Sequence, residues 1–447
     1  MIYSLLKSIT RLSLKVYFRK IHIKGLENIP KNGPFMIVAN HPSSFLDPAC
    51  IAVLIKQKIS FLAKGSLFNN KIISKMLIGL NMIPVYRAQD DPKMLHKNHE
   101  VFKGCFDKLG QNGVIMIFPE GTSEHERKLR QIKTGAARIA LGAVKENDYN
   151  LNVKILPVGL NYTKSSRFRS ELFIQFGTVL ETDNFIENYK TDEIKSAKNL
   201  TEDIETSIKR LIIDIDKEEL EALAEKVESL YKKELLRKIN TPNEFEKIKL
   251  SQDIYSAIKY FQKKDVTSFN EVKSKIDDYF LNLKAIGISD KSMEENNVQG
   301  NILFYFIKRL VILTLGFPIW IFGFVNSFVP YKLPRVIALK ITNSEAFYGA
   351  LLMAIGTFSF TLFYILATYI TWYFSHSFLL TICYAIALPL SGFFTIFYAR
   401  IARRIFYNLK FYSRLFNKKK MMSQLILERT QIISLLEQLK SDYQKSH

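Results

Sequence analysis

The chain has 447 residues, 48% of them hydrophobic, so one very large domain or two to three ordinary ones, with enough apolar residues for a core, are expected. A formal net charge of +21 admits nucleic acid, an anionic membrane surface or an anionic substrate as partner. The three cysteines, Cys50, Cys105 and Cys383, stand far apart without a CxxC pair, which argues against zinc and structural disulfides and fits a reducing, cytoplasm-facing setting.

Residues 1–24 open with MIYSLLKSITRLSLKVYFRK. Lys7, Arg11, Lys15 and Arg19 recur every fourth residue and line one helical face, and Leu5, Leu6, Ile9, Leu12 and Val16 cover much of the rest. The bases interrupt any signal-peptide core. Two readings fit: an interfacial helix with its bases at lipid headgroups, or an amphipathic helix packed on its own domain. From 25 to 182 short apolar runs alternate with helical stretches. Strands are predicted at 35–39, 59–63, 82–86, 114–118, 153–158 and 172–176, and helices over 92–109 and 133–146. That alternation predicts an α/β domain with a mixed, partly parallel, buried sheet flanked by helices.

Residues 183–300 are rich in Lys, Glu, Asp and Asn, with Leu220, Leu223, Val227 and Leu230 at helical spacing. A helical accessory region without catalytic motifs is expected there. Residues 301–400 form a membrane region. The stretch 310–329 is uncharged for about one span, and 346–372 and 377–398 make a transmembrane hairpin around His376. Basic residues flank each stretch: Lys308 and Arg309, then Lys332, Arg335 and Lys340, then Arg400, Arg403 and Arg404 leading into a basic helical tail over 401–447. All fall on the cytoplasmic side if only the hairpin crosses and 310–329 dips in and returns, with Gly316, Pro318 and Gly323 breaking its helix. Three ordinary spans are the alternative. A membrane region of this kind favours lipid over nucleic acid as the reason for the charge.

Four segments carry chemistry. In 36–48, MIVANHPSSFLDP, a strand delivers His41 to its carboxyl edge, where open α/β sheets place ligands. A histidine there is suited to deprotonate a hydroxyl, and Asp47 is suited to fix its tautomer. Residues i and i+6 of a helix lie about 240° apart, so the pair requires a turn across 42–46, with helix starting near Asp47 or Pro48. Without such a turn the segment is a polar loop capped at Ser43 or Ser44. In 114–123, VIMIFPEGTS, Gly121 admits close backbone approach, and Thr122 and Ser123 add donors for a phosphate. The basic residues beyond it, Arg127 to Lys133, fit a solvated face. In 82–87, MIPVYR, a strand presents Arg87, whose fork matches a phosphate or the open surface equally. In 155–160, ILPVGL, Pro157 ends an apolar strand.

Taken in order, NHPSSFLD, MIPVYR, FPEGTS and ILPVGL resemble the four blocks of the phospholipid/glycerol acyltransferase family over residues 25–180. The resemblance implies a glycerolipid-acyltransferase fold. It implies acyl transfer from acyl-CoA or acyl-carrier protein to glycerol phosphate, lysophosphatidate or a related lipid, with no metal or other cofactor. By position, His41 is then the general base and Asp47 its orienting partner. Arg87, Glu120, Gly121 and Thr122 bind the acceptor, and Pro157 belongs to a substrate-binding block. This chain has five residues between His and Asp where the family commonly has four. The longer spacing, the PVGLNY stretch and the late hairpin resemble the fungal glycerol-3-phosphate/dihydroxyacetone-phosphate branch. That branch implies first acylation at the sn-1 hydroxyl, while the hairpin and its basic flanks imply an integral membrane protein with its catalytic domain on the cytoplasmic face. Acylation of lysophosphatidate is the alternative. A decayed enzyme kept as a lipid-binding scaffold is another, and the intact motif residues count against it.

Overall fold

The computed structural model describes residues 2–87, 92–239, 243–296 and 302–446. It divides into two compact units, the first Met1–Asp216 with Ala338–Ala354, the second Lys217–Ile337 with Ile355–His447.

The first unit runs α1 (Ile2–Tyr17), β1 (Lys20–Lys24), β2 (Phe35–Ala39), α2 (Leu46–Ala52), β3 (Ile59–Lys64), α3 (Lys71–Gly79), β4 (Met82–Val85), α4 (Asn98–Gly110), β5 (Val114–Ile117), α5 (Gly135–Glu146), β6 (Lys154–Tyr162), β7 (Glu171–Phe176), β8 (Leu180–Glu181), α6 (Ile186–Thr191) and α7 (Glu193–Leu211). One eight-stranded sheet has the order β1-β7-β6-β2-β5-β3-β4, with β8 also on β6. Strands β6, β2, β5, β3 and β4 are mutually parallel, while β7 and β8 run antiparallel to β6. Helices cover both faces. One core joins Met36, Val38 and Ile115 to α4, α5 and α7; the other joins Phe35, Ile37 and Val158 to α1 and α2. Burial on both sides explains why FMIVA is apolar throughout instead of alternating.

All six predicted strands are present. Two further ones, β1 and β8, have no comparable apolar run; Lys20–Lys24 is a strand on β7, not the end of the N-terminal helix. Strand β6 runs on to Tyr162, so Pro157 does not end it. On one side β6 pairs with β7 from Val158 and with β8 up to Ile155. Pro157 falls in the gap between those ladders, where a missing N–H leaves no bond unmade. The first unit extends past residue 182 to Asp216, because Leu200, Ile204 and Ile208 of α7 form a stripe buried on the sheet.

Helix α1 packs through Leu14 and Tyr17, and two of its bases reach the domain. Lys7 donates to the Ile55 carbonyl, and Arg11 donates to that of Val53 at 2.8 Å, just past the end of α2. Leu14 and Tyr17 are buried beside them, while Leu5, Ile9, Leu12 and Val16 face outward. At least Lys7 and Arg11 are therefore committed to the protein, not to headgroups.

The second unit holds α8 (Glu218–Arg237), α9 (Glu246–Lys264), α10 (Val266–Ile286), α11 (Asp290–Asn296), α12 (Ile302–Ile341), α13 (Glu345–Ser375), α14 (Phe378–Asn417) and α15 (Lys419–Lys445). The ends of α12 and α13 that meet around residue 342 belong to the first unit. Leu223, Leu230, Tyr279 and Leu283 share one core with Met422, Leu425 and Ile432, so the expected basic tail is a packed helix. Helices α12, α13 and α14 are each long and apolar enough to cross a membrane.

Helix α12 is continuous, contrary to the expectation that Gly316, Pro318 and Gly323 break it. The two glycines are contact points: a Cβ on Gly316 would meet the Phe394 ring at 2.9 Å, and one on Gly323 would fall onto the Ser391 carbonyl. The contacts of α12 nevertheless reverse direction. Leu313 meets Tyr398, Trp320 meets Thr395 and Asn326 meets Tyr384, which is progress toward the hairpin turn at His376. Ser327 then meets Tyr364, Pro330 meets Ser359 and Pro334 lies against Gly356, which is retreat from it. The bend thus falls near Pro330, where a helix hydrogen bond is missing. Pro334 likewise leaves the Pro330 carbonyl without its i+4 donor, and the buried Ser359 hydroxyl donates to it at 3.0 Å.

Candidate active site

The site gathers at the carboxyl edge of the parallel strands. After β2, Asn40 clamps its side chain to β6: its amide donates to the Leu160 carbonyl at 3.0 Å and accepts from the Leu160 N–H at 2.8 Å. His41 follows. The chain then turns across 42–45, with Ser44 at φ 43°, a left-handed value uncommon for a serine. Ser123 Oγ accepts from the Ser44 N–H at 2.7 Å and holds that turn. Helix α2 begins at Leu46, so Asp47 comes round to face the imidazole, with Nδ1 and Oδ2 2.8 Å apart. The turn that an i, i+6 pair requires is present.

Asp47 is fully buried, and both its oxygens are engaged. Oδ2 also accepts from the Ser43 N–H at 2.7 Å, and Oδ1 accepts from Tyr162 Oη at 2.7 Å. Burial, with the Asp47 charge adding to it, raises the Tyr162 hydroxyl well above the ordinary tyrosine range, so it stays a donor. Burial likewise pushes up the thiol of Cys50 beneath them, which leaves it an inert core residue. The His41 ring stacks on Phe118, with centroids 4.0 Å apart. Its side chain is 19% exposed, and among the described residues no hydrogen-bond partner meets Nε2. An imidazole held at one nitrogen and open at the other can take a proton from a bound hydroxyl.

The loop after β5 supports this arrangement. Glu120 is almost wholly buried, and its two oxygens accept from the His41 N–H at 2.7 Å and the Arg130 N–H at 3.1 Å. Burial raises its pKa to about 7 against the pull of those hydrogen bonds. Its carboxylate thus ties two loops together, whereas the sequence pointed to contact with the acceptor. Gly121 sits at φ 71°, and a Cβ there would meet Lys133 Nζ at 3.2 Å. Arg87 reaches from the end of β4 and donates to the Gly121 carbonyl. Asn98 brackets the preceding residue, accepting from the Tyr86 N–H at 2.9 Å and donating to its carbonyl at 2.5 Å. Thr122 is partly exposed beside them. Pro157 is not part of this cluster; it lies buried in mid-strand, paired with Val38.

Sequence reading passed over Asn40 and Tyr162. The signal for Tyr162 lay in strand parity: Leu156, Val158, Leu160 and Tyr162 share one face, the face that packs on α2.

Residues 20–161 match the family model described as Acyltransferase. Among curated proteins, the chain is 36% identical over 112 residues to glycerol-3-phosphate O-acyltransferase 2 of Saccharomyces cerevisiae, covering 25% of this chain and 15% of that one. It is 29% identical over 145 residues to glycerol-3-phosphate O-acyltransferase 1 of the same yeast, covering 32% and 19%. It is 33% identical over 130 residues to the chloroplastic 1-acyl-sn-glycerol-3-phosphate acyltransferase LPAT1 of Arabidopsis thaliana, covering 29% and 35%. The chain is also similar to the crystal structure of the 1-acyl-sn-glycerophosphate acyltransferase PlsC from Thermotoga maritima, with 20% identity, a TM-score of 0.34 and coverage of 49% and 80%. The matched stretches thus span about a third or less of these curated relatives' own lengths. The chain carries an acyltransferase-family domain, with His41 and Asp47 at its sheet edge.

Proposed function

We propose that this protein transfers a fatty acyl group from the thioester of acyl-CoA or acyl-carrier protein to the sn-1 hydroxyl of glycerol 3-phosphate. The observation that carries the reading is the His41–Asp47 pair, with one imidazole nitrogen anchored and the other open. His41 Nε2 removes the hydroxyl proton as the oxygen attacks the thioester carbonyl. The tetrahedral oxyanion collapses, the C–S bond breaks, and the imidazolium returns its proton to the departing thiolate. Asp47 holds the ring and offsets its transient charge. Arg87, with Thr122 beside it, receives the acceptor's phosphate at the Gly121 loop. The similarity to two yeast glycerol-3-phosphate acyltransferases supports this acceptor. The similarity to a plant 1-acylglycerol-3-phosphate acyltransferase supports lysophosphatidate as the second reading. Purified full-length protein offered glycerol 3-phosphate, dihydroxyacetone phosphate and lysophosphatidate side by side separates them. The expected main product is 1-acylglycerol 3-phosphate; faster turnover of lysophosphatidate transfers the assignment to the second acylation.

The reading includes topology, with the catalytic domain on the cytoplasmic face and only α13 and α14 crossing. Two packing relations support it. Ala346 and Ala350, after α12, are buried in the first unit with residues that precede α12. Arg429 of α15, after α14, pairs with Asp290 before α12. Each relation requires an even number of crossings in between, and the reversal within α12 supplies one that enters and returns. In a Cys383→Ala background, a cysteine at 376 is expected to react with an impermeant reagent outside and one at 335 to stay protected. Reaction at 335 makes α12 a full span.

A further inference from the structure

Helix α3 connects two parallel strands, β3 and β4, across one face of the sheet edge. Such a crossover helix ordinarily turns its apolar side to the strands and a polar side outward. Here the outward side is apolar as well. Only Leu77 is buried, while Ile72 is 81% exposed and Met76 58%, with Ile73 beside them and Ile78 exposed on another side. Ile72 and Met76, four apart, form one outward crest, flanked on one side by the exposed Lys71 and Lys75. Asn70 caps the helix, its Oδ1 accepting from the N–H groups of Ile72 and Ile73 at 2.9 and 3.2 Å, so the crest stands on a fixed backbone. From Pro48 to Gln89 the sequence has no Asp or Glu, so the lysines beside the crest have no acidic neighbours along the chain.

We infer that α3 is a membrane-docking helix, its Ile72–Met76 crest inserted among the lipids of an anionic bilayer surface and its lysines at the headgroups. Apolar side chains flanked by lysines are the pattern of an interfacial helix. The same chain carries three helices apolar enough to cross a membrane, so a bilayer is within the protein's own surroundings. A protein partner for the crest would find only a narrow ridge bordered by positive charge. A lipid surface matches both halves of the pattern.

The test uses full-length protein in vesicles of phosphatidylcholine with phosphatidylglycerol, in a Cys383→Ala background. An environment-sensitive fluorophore is attached to a cysteine at 72, at 76 or, as control, at the exposed Ile194 of α7. Labels at 72 and 76 are expected to emit at shorter wavelength, to lose intensity with shallow nitroxide-labelled lipid and to be shielded from aqueous iodide. The label at 194 is expected to show none of these. The Lys71→Gln/Lys75→Gln variant is expected to reduce the lipid quenching, as is vesicle lipid without phosphatidylglycerol. Labels at 72 and 76 that iodide reaches as readily as the one at 194 overturn the inference. A blue shift without nitroxide quenching also overturns it, since the crest is then covered by protein and not lipid.

Discussion

Two buried aspartates, one in each unit, receive almost the same partners and are suited to opposite tasks. Asp47 accepts from a tyrosine hydroxyl and faces a histidine; Asp290 accepts from the Tyr279 hydroxyl at 2.8 Å and from Arg429 Nε at 2.9 Å. The difference lies in the cation. Arg429 is permanently charged, mostly buried and also reaches the Leu230 carbonyl, so the Asp290 pair can only fasten α15 to α11 and α8. His41 keeps one imidazole nitrogen open while Asp47 holds the other, so the Asp47 pair can move a proton. A buried carboxylate with a tyrosine and a base beside it is therefore no sign of catalysis until the far side of the base is known.

The largest effect is expected from His41→Ala. It is expected to lower kcat by about 10²–10⁴-fold, the usual contribution of a positioned general base, with an unchanged thermal unfolding curve. Near-normal turnover in a folded variant removes the distinction. Arg429→Met is expected to do the converse. Leaving Asp290 buried without its cation should destabilise by about 3–5 kcal/mol in denaturant titrations, with kcat per folded molecule preserved. Glu120, a third buried carboxylate, sharpens the contrast through pH. Its folded pKa of about 7 exceeds the unfolded value, so the folded state holds the proton more tightly. Its contribution to stability should be greatest at acid pH, fall by up to about 3 kcal/mol as pH rises from 4.5 to 7, and level off above. Glu120→Gln should abolish that component of the slope, read from denaturation midpoints across the window. The smallest effect expected is that of Tyr162→Phe. Losing one hydrogen bond to the Asp47 carboxylate should lower kcat/KM by about 1.5–3 kcal/mol of transition-state stabilisation, with KM little changed. A rise confined to KM would move Tyr162 from the histidine pair to the substrate.

The parts legible in the sequence were those set by short-range pattern. Central strands such as FMIVA are apolar because both faces are covered, and the i, i+6 spacing of His41 and Asp47 by itself demands a turn between them. Long-range matters were not legible. Glu120 reads as a motif acid, yet its partners are backbone groups 79 and 10 residues away. Pro157 reads as a strand end because nothing local reveals a gap between two partner ladders. Gly316 and Gly323 read as helix breakers, and only the position of α14 shows them to be close-contact sites. Helix α3 escaped prediction because its outward side is apolar, which erases the periodicity that marks a surface helix.

The shared core of α8, α10 and α15 bears on how the protein is made. On the ribosome α8 to α11 emerge well before α15, and on the proposed topology the hairpin enters the bilayer in between. The second unit cannot close until that insertion is complete and Met422, Leu425 and Ile432 arrive, so its folding reports on the success of the hairpin. A hairpin inserted the wrong way, or left outside the lipid, would strand α15 away from α8 and expose an unfinished apolar surface to quality-control proteases.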